Sequence, residues 1–413
     1  MKTYISILLA LLFLNVSEAQ ISQWRGPDRS GKYPDSGLLA EWPENGPEMI
    51  IKVDDVGSGY SSPVMYEGVY YITGKIDDSD FLSAVDQEGN LLYQVNYGKS
   101  WMNSYPETRC TPTIQGDYIY LISGSGEVAC LNRKDGSQVW KVNAHEKYNG
   151  EYHRWGVAES PLLIDDKVLY TNGGDNYSVI AFDRETGEEV WKSKSLGGAR
   201  TYVSPIIYQN EDVQFIIALT ANHVLGISPD NGDFIWQYQY LPDDGSTGNG
   251  ATNSTNSPIV KGNEIFISKG YNQYGVMLRV SNDGKSVEEI WRTYVLDTHH
   301  GHYVNVGDYI YGSNWENNSK GKWVCLEWAT GEVMYEEEWH TKGPIMFADN
   351  LLYCYEERGG NIALVNPTPD NFDIVSSFKI EYGNGPHWAH PHVANGKLLM
   401  RHGEVFMVFE LKP

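Results

Sequence analysis

The chain has eleven histidines, and six of them fall in two short segments: His299, His300 and His302, then His387, His390 and His392. Imidazole changes charge near neutral pH and is the commonest protein metal ligand. Brought together, two such segments can move protons or hold a divalent cation. His300, His302 and His390 are the expected catalytic groups, and His299 and His392 the expected metal ligands. A third segment sets His153 beside Arg154 and Trp155. Arg109, Arg200 and Lys342 would neutralise an anionic group on a ligand. Trp155, Tyr202 and Trp388 offer flat faces, and Asn256 an amide, which suits a sugar ring or a flat cofactor. With His153 and His387 these residues make the expected substrate-binding set. The plainer alternative is that the imidazoles hydrogen-bond backbone at a crowded place.

The elements that must position these residues form a repeat. A small polar residue, Pro and two apolar residues recur at Ser62-Pro63, Thr111-Pro112, Ser160-Pro161, Ser204-Pro205, Ser257-Pro258, Gly343-Pro344 and His390-Pro391. Tyr303 stands where the missing copy belongs, and the steps then run from 41 to 53 residues. Strand-built repeats of about 40–50 residues are the signature of a β-propeller. Within each copy, runs such as Asp117–Leu121 and Val179–Phe182 alternate with Gly, Asp and Asn turns, which are hairpin signals. No helical periodicity is found. The eighth copy has three runs, ending with Val405–Leu411, while Glu48–Val53 precedes the first copy without a blade of its own. The expected fold is therefore all-β: an eight-bladed β-propeller of four-stranded antiparallel blades, closed by an N-terminal strand completing the last blade. Closure removes the sheet edges that a linear array would expose. A single domain over 20–413 is expected.

Aligned on the prolines, the histidines fall into rows. One residue earlier the copies read Ser62, Thr111, Ser160, Ser204, Ser257, His302, Gly343 and His390. Three residues earlier they read Tyr60, Arg109, Ala158, Tyr202, Thr255, His300, Thr341 and Trp388. Strand alternation puts both rows on one face, and the propeller gathers them at one mouth of its channel. The first row is small except where His stands. The second is polar or aromatic where a core would be aliphatic.

Lys2, the apolar run Ile5–Leu14 and Ser17-Glu18-Ala19 read as a signal peptide, 1–19. A periplasmic or secreted protein with no transmembrane segment after cleavage is expected. Four cysteines in an oxidising compartment are too few for a disulfide scaffold. The 413 residues carry 31 Lys and Arg against 54 Asp and Glu, a net charge of −23. Such a surface repels duplex nucleic acid and anionic membranes.

The stretch Ala181-Phe182-Asp183-Arg184-Glu185-Thr186-Gly187-Glu188-Glu189-Val190-Trp191 resembles the tryptophan-docking repeat of quinoprotein propellers. Degenerate copies end at Trp140, Trp236, Trp291 and Tyr335. The opening Gln23-Trp24-Arg25-Gly26-Pro27 looks like an exported bacterial branch, the PQQ-like β-propeller repeat proteins. The resemblance covers the mature chain and implies the fold. The His-rich channel mouth points to binding or processing of a small ligand, a carbohydrate among the candidates, with the reaction unspecified, and the resemblance implies two alternatives, a BamB-like scaffold for envelope proteins or a PQQ-dependent dehydrogenase. Well-characterised quinone enzymes of this class hold PQQ against a vicinal disulfide and bind calcium through carboxylates and amides. This sequence has no Cys-Cys pair. A divalent metal at the histidines is therefore the expected cofactor, ahead of PQQ. The docking Trp is expected to pack between blades.

Overall fold

Four strands follow each of the first seven alignment positions and hydrogen-bond in chain order, giving seven consecutive four-stranded meanders. Blades one to seven span 64–99, 113–143, 162–194, 206–239, 259–293, 303–337 and 345–379. The eighth is assembled from both ends of the chain. His392–Ala394, Lys397–His402 and Val405–Glu410 form its inner strands. Met49–Val53 adds on the outside, with Val53 opposite Phe406 and Met49 opposite Phe409. The eight-bladed all-β propeller and its closing strand are thus as the repeat predicted. This computed structural model describes residues 20–241 and 252–413, and the expected signal peptide lies outside the described residues. Among the described residues one helix departs from the strand pattern, the four residues Ala144–Lys147.

Burial follows from how blades stack. The middle strands of blade two, Tyr118–Ile122 and Glu127–Asn132, are buried on both faces and so read as unbroken apolar runs. The outer strand Gln138–Asn143 buries only Trp140 and is otherwise polar or half-exposed. Three of the four docking tryptophans reach the turn of the next blade. Trp140, Trp191 and Trp291 cover Gly187, Gly232 and Gly331, whose φ angles are 73°, 77° and 76°. Their indole N–H groups donate to carbonyls of the same turns, at 2.9 Å to Arg184, 2.8 Å to Pro229 and 3.1 Å to Trp328. A Cβ on Gly232 would stand 2.5 Å from the Trp191 ring. Gly232→Ala should therefore cost about 1–3 kcal/mol through overpacking and backbone strain. Trp191→Ala should cost about 3–5 kcal/mol. Urea unfolding checks both; an unchanged Gly232→Ala midpoint would remove the docking account.

The residues one before each proline also bind blade to blade. Ser62 N–H donates to Thr111 Oγ1 at 2.9 Å, Thr111 N–H to Ser160 Oγ at 3.0 Å, and Ser160 N–H to Ser204 Oγ at 2.9 Å. A small hydroxyl is required there because the preceding blade's backbone N–H donates to it. The chain of clasps spans blades one to four. His302 and His390 occupy the row where it is not continued.

The segment before the closing strand crosses the channel. Ile21–Ser22 pairs antiparallel with the inner strand of blade two. Lys32–Tyr33 pairs parallel with the inner strand of blade seven. Between them two buried arginines tie the segment to the carbonyls that follow the prolines. Arg29 donates to Ser160 O (3.1 Å), Pro205 O (3.0 Å), Pro161 O and Gln23 Oε1 (2.8 Å). Arg25 donates to Tyr303 O (2.6 Å) and Ile345 O (3.3 Å). Gly31, at φ 80°, leaves the room that the Arg25 guanidinium fills. The segment is a plug, and Trp24 on it becomes the floor of one mouth.

Candidate functional site

A cavity of about 540 Å³ opens at that mouth. Seven of the eight residues three before the alignment positions line it: Tyr60, Arg109, Ala158, Tyr202, Thr255, His300 and Trp388. From the nearer row only Ser204, His302 and His390 reach it. Trp155 and His299 complete the predicted residues in the wall.

Of the three predicted catalytic histidines, His302 and His390 touch each other. His302 Nδ1 lies 3.2 Å from His390 Nε2, and the His300 carbonyl is 3.1 Å from His390 Nε2. Arg25 Nη1 stands 3.5 Å from His390 Nδ1. A guanidinium only donates, so His390 accepts at Nδ1 and carries its proton on Nε2. His302 Nδ1 faces both His390 Nε2 and the His300 carbonyl at 3.2 Å, while its Nε2 is a buried atom with no partner among the described residues. Trp24 packs edge-on to both rings, at 4.7 and 5.8 Å. Burial first, then the Arg25 charge, holds both imidazoles well below their usual pKa and therefore neutral. The pair leaves His302 Nε2 as the one imidazole nitrogen of the two rings free to meet a ligand.

His153 acts on the wall from behind. Its Nδ1 accepts from Arg154 N–H at 2.9 Å and from the Tyr202 hydroxyl at 3.0 Å, and Tyr202 in turn accepts from Trp155 N–H at 3.0 Å. Trp155 is thereby held against Tyr202, rings 5.5 Å apart, and parallel to Tyr271 at 6.3 Å. Arg109 lines the cavity while donating to the carbonyls of Trp155 (3.0 Å) and Tyr105, so it also joins two mouth loops. Asn256 fixes the histidine loop, donating to Thr298 O at 2.6 Å and accepting from His302 N–H at 3.2 Å.

Six predicted residues lie outside the cavity wall: His153 and Asn256, which brace it, and Arg200, Lys342, His387 and His392. Arg200 is fully buried in an ion pair with Glu159 at 2.7 Å. Desolvation pushes the Glu159 carboxyl up to about 7, against the pull of Arg200. Lys342 pairs with buried Glu357 at 2.7 Å, so its charge is already answered. His387 stacks on His402, centroids 3.5 Å apart, and meets the Tyr355 hydroxyl. His392 packs edge-on to Tyr33 of the plug at 4.9 Å, and is not grouped with His299. His299 instead neighbours His300 and Glu357.

Sequence reasoning missed Trp24, Tyr105, Tyr271, Trp315 and Glu357. The last three stand two or three residues past the second strand of their blades, after Ser268, Ser313 and Tyr355. In a four-stranded meander the turn from strand two to strand three returns to the face where strand one begins. That position was readable from the repeat.

The quinone and calcium pair implied by the resemblance does not fit. Calcium takes oxygen ligands, mostly carboxylates; among the described residues no Asp or Glu lines the cavity, which offers imidazoles and indoles. All four cysteines are free and buried, and none lines the cavity.

A closed ring of eight docking-repeat blades with a lined cavity at one mouth defines the PQQ-like propellers. The chain belongs to the family described as outer membrane protein assembly factor BamB, whose model matches residues 78–337. It is similar to methanol dehydrogenase subunit 1 of Methylorubrum extorquens, 26% identical over 33% of this chain and 23% of that protein. It is also similar to BamB of Alkalilimnicola ehrlichii, 23% identical over 43% of this chain and 42% of that protein. The chain thus matches less than half the length of these relatives. The solved BamB of Moraxella catarrhalis superposes with a TM-score of 0.61 at 13% identity, covering 88% of this chain and 99% of that one. A europium-containing methanol dehydrogenase gives 0.63 at 13%, covering 87% and 85%, a likeness of fold. Among the described residues no helix is long and apolar enough to cross a membrane.

Proposed function

We propose that this is an exported propeller, periplasmic or secreted, that binds a small acidic carbohydrate in the cavity at the channel mouth. One observation carries the reading: on a chain of net charge −23, the described cavity wall is built of aromatic rings, imidazoles and two arginines, with no carboxylate. Rings such as Trp155, Tyr202 and Trp388 suit the faces of a sugar. Arg109 and Arg154 suit a carboxylate. His302 Nε2, without a partner among the described residues, can hydrogen-bond a sugar hydroxyl, which supports binding and is compatible with proton transfer in a cleavage or epimerisation.

Calorimetry against acidic and neutral oligosaccharides tests it. Acidic sugars should bind with affinity that falls as salt rises. Trp155→Ala should weaken binding at least about tenfold with stability nearly unchanged, since the side chain is half-exposed and its loss removes a stacking face. Silence across the panel would discard the carbohydrate. Family membership supports a second reading, a scaffold for envelope proteins. A stoichiometric partner that survives Trp155→Ala with Arg109→Ala would favour that reading.

A further inference from the structure

Where the histidine loop meets the turn of blade seven, His299, His300 and Glu357 come together. One ligand atom from each lies within 4.8 Å of the others. His299 Nδ1 faces Glu357 Oε2 at 3.8 Å. That gap is too long for a hydrogen bond. It is close to the ~3.4 Å that separates two ligands sharing one tetrahedral zinc. His299 Nδ1 and both His300 nitrogens are buried with no partner among the described residues. Buried polar atoms are nearly always hydrogen-bonded, so three orphans on two adjacent imidazoles require a cause.

We propose that His299 Nδ1, one His300 nitrogen and Glu357 form a binding site for a divalent first-row metal of the zinc class, with open coordination positions towards the cavity. Two imidazoles and one carboxylate are the donor set of catalytic zinc sites and of non-haem iron sites. Two nitrogens in three make calcium and magnesium poor occupants. Surrounding groups already orient the ligands. The Tyr271 hydroxyl sits 3.1 Å from His299 Nε2, and accepting there would leave the Nδ1 lone pair free. Trp388 Nε1–H donates to Glu357 Oε2 at 3.1 Å. Closing the group around an ion takes side-chain rotations of about 1 Å.

Lys342 sets the charge of the site. Its ammonium neutralises Glu357 at 2.7 Å, so a bound dication would be left with two uncompensated charges. The open positions therefore call for an anion such as a carboxylate. The metal site rests on this geometry, and stands whether or not a carbohydrate enters the cavity.

The test uses the full mature chain, stripped with chelator and titrated with Zn²⁺ by calorimetry and with Co²⁺ by visible absorption. One equivalent should bind, and Co²⁺ should show the intense d–d bands of a low-coordinate nitrogen site. His300→Ala should weaken binding by at least about 100-fold, with circular dichroism unchanged. Lys342→Met should tighten it, by removing the competing cation. Wild-type affinity no greater than that of a His299→Ala/His300→Ala double variant, or tight binding that survives in the double variant, would overturn the proposal. Sugar binding measured in chelator separates this outcome from failure of the proposed function.

Discussion

Arg29→Met should unfold the protein at markedly lower denaturant than the parent chain, with a loss of about 3–5 kcal/mol. Arg29 holds three main-chain carbonyls from blades three and four and the Gln23 amide. Burial pulls its guanidinium down to about 9, which still leaves it charged at neutral pH. Hydrogen bonds from a charged donor contribute about 1.5–3 kcal/mol each, and buried carbonyls left without one add their own penalty. A methionine fills much of the volume and answers none of the acceptors. Limited proteolysis should then cut within 20–47 before it cuts the blades. Arg154→Met, on an exposed side chain at the mouth, should change stability by less than about 0.5 kcal/mol. Equal stabilities for the two variants would mean that the plug is not held as described.

The second large effect is a stability that climbs with pH. Lys269 is buried, its ammonium 4.2 Å over the Tyr240 ring and bonded to the Tyr240 carbonyl, and desolvation lowers it to about 7. Burial alone takes His392 to about 3. Each is a base whose folded pKa lies below its unfolded value, so the unfolded chain holds more protons across the interval. Stability therefore rises from about pH 3 to 6.5 for His392, and from about 7 to 10.5 for Lys269. Acidifying from neutral to pH 5 should remove about 2 kcal/mol through His392 alone. His302, His387 and His390 are lowered by burial too and act in the same sense, whereas the buried carboxyls of Glu159 and Asp297, raised to about 7, oppose them below neutral pH. Lys269→Met should raise stability at pH 7 and flatten the rise above it. Urea midpoints from pH 5 to 10 read both limbs; a flat profile for the parent chain would sink the account.

How much of this was legible depends on whether a residue obeys the repeat. Docking tryptophans, prolines and the unpaired Glu48–Val53 run recur or fail to recur at fixed spacing, so blade number and closure could be read directly. The row three before each proline was legible for the same reason, and seven of its eight members line the cavity. The plug was not. Gln23-Trp24-Arg25-Gly26-Pro27 occurs once, so periodicity says nothing about it, and its partners are carbonyls, which leave no mark in a sequence. Arg200 and Lys342 looked like free cations because Glu159 and Glu357, their partners, lie 41 and 15 positions away. Only the fold brings those charges together.

The channel-crossing segment also has a kinetic consequence. Residues 21–33 leave the ribosome before any blade, yet Ile21, Arg25, Arg29 and Tyr33 bond to blades two, six, three and four, and seven. Met49–Val53 cannot pair until Val405–Glu410 exists. Tyr33 and Met49–Val53, made before any blade, thus wait for blades seven and eight before they can pair. Such long-range pairing is slow. The ring should therefore close only after the last blade is made, in one late step that joins both ends of the chain.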